Sequence, residues 1–296
     1  MKLGMIGLDT SHVLEFSKLF NDPAHPFFVP DMPLVKAFPG GSQNTSVSYS
    51  RVEKYTREVA AAGVEIVASI DELAGLDGYL LESVDGLQHL EQFEKLAAFG
   101  KPVFIDKPLA CSYQDAKAIL EVSRKTGVPF MTASSMRYAP GVADLCPADE
   151  KVVSAEGFGP LAFLPDYRDY FWYGIHTAET IYKYLGSGCQ SVEALERGEC
   201  QLLIGTWQDG RLGLCVGNTP GAYCFGARIL TDKTQHASTI NSGVSYMSSL
   251  SQAMAEFFRT GISPIAPEES VEVIAFLEAA SQSRAKGGKP VQLADL

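Results

Sequence analysis

Two short stretches carry side chains equipped for chemistry, Asp106-Lys107-Pro108 and His176-Thr-Ala-Glu179. An ammonium at the end of a strand can stabilise negative charge that develops on a substrate oxygen. Imidazole titrates near working pH, which makes His176 the natural general base. Glu179 lies one turn along the same helix face and can orient the ring or touch substrate. A His-x-x-Glu pair can also hold a metal, but the sequence shows no convincing third ligand, so no metal is expected. Just upstream, Arg168, Asp169 and Tyr170 are candidate substrate ligands, Arg168 for a carboxylate or phosphate. The plainer alternatives are a surface lysine before a turn proline, a helix-start histidine satisfied by its neighbours, and a solvated loop.

A third stretch, Lys2-Leu-Gly-Met-Ile-Gly-Leu-Asp-Thr-Ser-His12, runs an apolar strand into a turn at Gly7 and then into a helix. That is the opening of a dinucleotide-binding unit, whose turn wants glycine at its first, third and sixth positions. Only Gly7 fits; Asp9 and His12 stand at the other two. The Asp9 carboxylate either repels a pyrophosphate or is satisfied by the turn's own amides. Thr10 and Ser11 can cap the helix, whose N-terminus attracts anions whatever the glycine count. His12 can donate to a phosphate or pack between helix and sheet. After the second strand, Lys36-Ala-Phe-Pro-Gly-Gly-Ser42 lacks the usual ribose acid. Gly40, Gly41 and Ser42 can offer donors to a 2′-phosphate, with Arg51 and Lys54 nearby in sequence, a slight lean towards NADP.

Strands expected at 2–7, 34–38, 64–68, 78–81, 103–105 and 129–132 alternate with helices at 11–20, 50–62, 86–99 and 112–126, plus a short helix at 70–76. Such alternation predicts an α/β Rossmann domain, a doubly wound parallel sheet, over 1–137. Ligands of that fold sit beyond the carboxyl ends of the strands. From 138 to 296 the texture changes. Strands at 152–158, 192–195, 201–207, 211–217 and 223–230, with helices at 176–185, 243–259 and 267–284, predict an α+β domain with a mostly antiparallel sheet. Asp209-Gly210 marks a hairpin.

Hydrophobic residues make up 46% of the chain and charged residues 20%, enough to bury a sizeable core. A net charge of -11 without a basic run speaks against nucleic acid. No apolar run reaches membrane-span length, and the run from Leu3 to Leu8 is too short for a signal peptide. Six cysteines without C-x-x-C spacing suggest reduced thiols and a cytoplasmic location.

The order of the Gly7 turn, Asp106-Lys107-Pro108 and Tyr173-Gly-Ile-His-Thr-Ala-Glu179 resembles the glucose–fructose oxidoreductase/inositol dehydrogenase family, often called Gfo/Idh/MocA. Gln88-His-Leu-Glu-Gln-Phe, Gly100-Lys-Pro-Val, Phe257-Phe-Arg-Thr-Gly-Ile-Ser-Pro and Gly288-Lys-Pro-Val extend the resemblance over nearly the whole chain. The family's Glu-Lys-Pro appears as Asp106-Lys107-Pro108. Its Asp-x-Gly-x-His-x-x-Asp appears with Trp172 for the first aspartate and Glu179 for the last. The resemblance implies a cytoplasmic NAD- or NADP-dependent oxidoreductase acting on a sugar, cyclitol or related polyol. Lys107 would hydrogen-bond the substrate hydroxyl and His176 would move the proton. Gly7, Asp9, Thr10, Ser11, His12, Gly40, Ser42, Asp106 and Pro108 would border the cofactor. His89 would lie near the nicotinamide ribose, and Arg137 at the domain junction, following Ser134 and Ser135. It also implies a homo-oligomer, dimer or tetramer, with no membrane or nucleic-acid partner. The rival reading, favoured by Asp9, His12, Trp172 and the missing ribose acid, is a catalytically inactive ligand-binding or regulatory member of the same fold. A third is transient use of NAD to eliminate or hydrolyse a glycoside.

Overall fold

The structure is a computed structural model and describes residues 1–218, 223–240 and 246–296. It divides into two compact units, 1–133 with 247–267, and 134–246 with 268–296.

The first unit is built on β1 (Leu3–Ile6), α1 (His12–Asn21), β2 (Leu34–Phe38), α2 (Ser46–Tyr49), α3 (Val52–Ala61), β3 (Glu65–Ile66), β4 (Gly78–Leu81), α4 (His89–Ala97), β5 (Val103–Ile105), α5 (Tyr113–Thr126) and β6 (Phe130–Thr132). All ladders are parallel, in the order β3-β2-β1-β4-β5-β6. β1, β4, β5 and β6 are buried along their whole length, as parallel strands covered on both faces must be. Helix α1 lays Phe16 edge-on to Phe104 of β5, ring centroids 6.1 Å apart. Strand order reverses between β1 and β4, so their following loops, from Gly7 and from Glu82, flank the fold's ligand crevice.

The second unit comprises β7 (Val152–Phe158), α6 (Gly174–Leu185), β8 (Cys189–Arg197), β9 (Cys200–Trp207), β10 (Leu212–Asn218), β11 (Gly226–Thr231), β12 (Gln235–Thr239), α8 (Pro267–Ala285) and β13 (Val291–Gln292). Helix α7 (Tyr246–Thr260) precedes α8 in the chain. The sheet runs β12-β11-β7-β10-β9-β8-β13 and is antiparallel except for β7 beside β10. Helix α6 is buried almost throughout, and Tyr182 on it packs against Trp207 of β9 and Phe276 of α8. All six cysteines are free thiols.

The fold class is as the sequence predicts. The linear division at 137/138 differs from the observed one, because α7 belongs to the first unit. Its Phe258 lies against Gly78 and shares that patch with Leu3. Burying two adjacent phenylalanines there outweighs continuity along the chain, at about 1.5–3 kcal/mol per ring. Two edge strands, β12 and β13, escape the sequence reading, since β12 is polar and half-exposed and β13 is only two residues. The expected first residues of the 243–259 helix, 243–245, lie outside the described residues.

Candidate functional site

The first unit buries a group of charged side chains, among them Asp9, Glu82, Asp106 and Lys107, past the carboxyl ends of β1, β4 and β5. Gly7 turns at φ 86° with its α-carbon against Ser83, where an added Cβ would sit 2.2 Å from the Ser83 nitrogen. That position admits only glycine. Two residues on, the Asp9 side chain turns away from α1. It accepts the Val84 N–H at 2.9 Å and the Ser48 hydroxyl at 2.6 Å. Burial pushes its carboxyl above the ordinary range, and those two donors only partly offset this. Asp9 therefore does not cap the first helix, and the N-cap Ser11 makes no side-chain cap hydrogen bond either. Thr10 Oγ1 lies 3.5 Å from the His12 N–H.

The ladders extend one residue past β4 and β5. Glu82 N–H donates to Ile6 O at 2.7 Å, and Asp106 N–H donates to Leu81 O at 2.8 Å. These bonds fix both backbones where the side chains enter the crevice. His12 Nδ1 lies 2.9 Å from Asp106 Oδ2. Burial works to raise the Asp106 carboxyl, but His12 and Lys107 outweigh it and hold the group below its usual range. Glu82 is wholly buried, and neither carboxylate oxygen has a hydrogen-bond partner. Burial first, and Asp106 second, push its carboxyl well up. Lys107 is 9% exposed and is an electrostatic neighbour of both acids. The Lys107–Pro108 peptide is cis.

Near the end of β2, Gly40 is exposed, whereas Ser42 is buried. The Ser42 hydroxyl donates to Asp85 at 2.6 Å and its N–H to Ser48 Oγ at 2.6 Å. The Ser42 hydroxyl is thus engaged by a buried acid, Asp85. Lys54 pairs with Glu58 at 3.8 Å on its own helix. His89 is buried with Nε2 2.7 Å from Ser83 O and Nδ1 3.1 Å from Leu109 O, so it ties the loops after β4 and β5 together.

The second unit holds His176 in the first turn of α6, 8% exposed, with the rings of Tyr173 and Phe225 beside it. Ser134 Oγ and His176 Nδ1 share a hydrogen bond of 2.6 Å. That contact anchors the ring at Nδ1. Glu179 is engaged elsewhere. Arg137 Nη1 reaches its carboxylate at 3.2 Å, and Arg137 Nη2 reaches Glu269 at 2.5 Å. Burial raises the Glu179 carboxyl to about 7 against the pull of Arg137. The orienting partner of the imidazole is thus Ser134, in place of the expected Glu179. Sequence reasoning named Ser134 without that role, because 42 positions separate the pair.

The upstream trio is largely architectural. The Tyr170 hydroxyl donates to Gln201 at 2.8 Å deep in the core, and Asp169 pairs with Arg284 at 3.5 Å. Arg168 is exposed and stacks over Phe171, 5.2 Å from the ring centroid.

The chain thus joins a doubly wound Rossmann unit with a lysine at a strand end to an α+β unit with a buried histidine. Residues 32–134 match the family described as GFO_IDH_MocA, oxidoreductase family, NAD-binding Rossmann fold. The resemblance read from the sequence holds for that stretch, which includes Asp106-Lys107-Pro108. An uncharacterized oxidoreductase of Streptococcus pneumoniae is 33% identical over 82 residues, 27% of this chain and only 22% of that protein. Two solved structures share the fold over nearly the full length. GenD2 from gentamicin A biosynthesis, in complex with NAD, has TM-score 0.78 at 16% identity, covering 99% of this chain and 96% of that one. The myo-inositol dehydrogenase from Lactobacillus casei, in complex with NAD(H) and myo-inositol, has TM-score 0.77 at 14% identity, with coverage of 99% and 96%.

The frame fits a dinucleotide at its centre. The Gly7 turn is kept, the Asp9 side chain is drawn away from α1, and Ser11 and Gly40 face solvent. Gly7, Thr10, Ser11 and Gly40 are the residues that would hold it, with Asp106 and Pro108 bordering it. Asp9 and Ser42 are engaged internally. No helix among the described residues is long and apolar enough to cross a membrane.

Proposed function

We propose that the protein is an NAD(P)-dependent oxidoreductase acting on the carbinol carbon of a sugar, cyclitol or related polyol. The observation that carries this reading is Lys107, nearly buried at the end of β5 with Asp106 beside it. When bound, the dinucleotide supplies or takes up the hydride. Lys107 polarises the hydroxyl oxygen and stabilises its developing negative charge. His176 moves the hydroxyl proton at Nε2 while Ser134 holds Nδ1. The Asp85 carboxylate beside Ser42 favours NAD over NADP, against the slight lean of the sequence. Exposed Leu212 and Leu230, which flank Ser154 on one face of the second-unit sheet, suit a homo-oligomer face.

The experiment is calorimetric titration of the folded protein with NADH and with NADPH, followed by a polyol and sugar screen. Lys107→Met should then cut turnover by roughly 10²-fold or more while the cofactor still binds. Binding of neither nucleotide would overturn the oxidoreductase reading. It would leave the second one, an inactive ligand-binding member of the fold. That reading is favoured by the buried carboxylates Asp9, Glu82 and Asp106, which oppose an anionic cofactor.

A further inference from the structure

We infer that His12, Glu82 and Asp106 form a binding site for a divalent transition-metal cation at the carboxyl ends of β1, β4 and β5. This inference does not depend on the function proposed above. One donor atom from each residue can be chosen so that all three lie within 4.8 Å of one another. Small rotations bring such a set to bonds of about 2.0–2.2 Å around one ion. Glu82 and Asp106 directly follow the adjacent strands β4 and β5, with backbones fixed by the ladder bonds to Ile6 and Leu81, and His12 opens α1 after β1.

Glu82 is the independent observation. It is 0% exposed, and both its carboxylate oxygens are without a hydrogen-bond partner. A buried carboxylate left so is costly, and native proteins pair such groups or give them a metal. Glu179, buried to a similar extent, has Arg137. Glu82 has only electrostatic neighbours, namely Asp106, Lys107 and Asp9. One dication and one ammonium balance three carboxylates.

The donor set selects the class of ion. One imidazole with two carboxylates suits Mn²⁺, Fe²⁺ or Zn²⁺, whereas Ca²⁺ needs six to eight oxygens. The His12 side chain is 21% exposed and provides the path of entry.

The test uses the full chain stripped with a chelator and titrated separately with Mn²⁺ and Zn²⁺ by calorimetry, with Mn²⁺ followed by electron paramagnetic resonance. The expected result is one saturable site per chain and a higher melting temperature with metal. Glu82→Gln and His12→Ala should each weaken binding at least ~10-fold, since even outer-shell changes cost 10–100-fold. His236→Ala, at the separate His236–Glu150 pair, should bind like wild type. If Glu82→Gln fails to fold, His12→Ala at its part-exposed position decides alone. Absence of a saturable site in the wild type, or unchanged binding in His12→Ala, overturns the proposal. Titration with NADH is scored separately, so failure of the metal site and failure of the oxidoreductase reading are distinguishable.

Discussion

Glu82 in the first unit and Glu179 in the second are the same residue in almost the same degree of burial, yet their surroundings differ. Glu179 receives the Arg137 guanidinium, which also binds Glu269, so a three-membered ion network crosses from α6 to α8. Glu82 receives no hydrogen bond. The difference teaches that burial of an acid does not by itself mark function. A guanidinium fork makes the second-unit acid part of the architecture, whereas the first-unit acid is buried with no hydrogen bond to its carboxylate.

The largest effect expected from this contrast is on Arg137. Arg137→Met leaves Glu179 and Glu269 without their shared cation, and should lower stability by about 3–5 kcal/mol in denaturant unfolding. A loss near zero would show that the network is not the structural element described here.

Glu179→Gln sharpens the same point through pH. The folded carboxyl is raised to about 7 from an ordinary 4.5. A raised folded value means that Glu179's contribution is fully present below about 4.5 and is lost as pH rises to about 7. The wild type should therefore lose on the order of 3 kcal/mol across that window from this group, a shift converted at 1.36 kcal/mol per unit. Glu179→Gln should remove that part of the pH dependence, as read from unfolding midpoints at pH 4.5 and 7.5.

The smallest effect has the opposite sign. In chelator-treated protein, Glu82→Met replaces an unpaired buried acid with an apolar side chain of similar volume. Stability should rise by roughly 1–2 kcal/mol, as when other buried charges are replaced by packed apolar groups. A clear loss of stability in the metal-free protein would erase the contrast between the two acids.

Much of the candidate site was legible from single positions. Lys107 at a strand end and His176 at a helix start follow from apolar runs that stop at a proline and at a glycine. Glu82 carries a single local signal, a charged residue directly after the buried run Tyr79-Leu-Leu81. Glu179 lies on one face with His176 by helical spacing. Its choice of Arg137 depends on a second helix that spacing within α6 does not describe.

By itself, the sequence determined the alternation of strands and helices, the Gly7 turn and the change of texture near 137. Each rests on local periodicity or on one residue's backbone freedom, and both are written within a few positions. The tertiary structure alone decided which distant side chains meet. It brought His12 to Asp106 across 94 positions, Ser134 to His176 across 42, and Arg137 to Glu269 across 132. It also carried α7 back to the first unit. Those pairings follow from the order in which parallel strands assemble and from which apolar faces cover one another, and local sequence encodes neither.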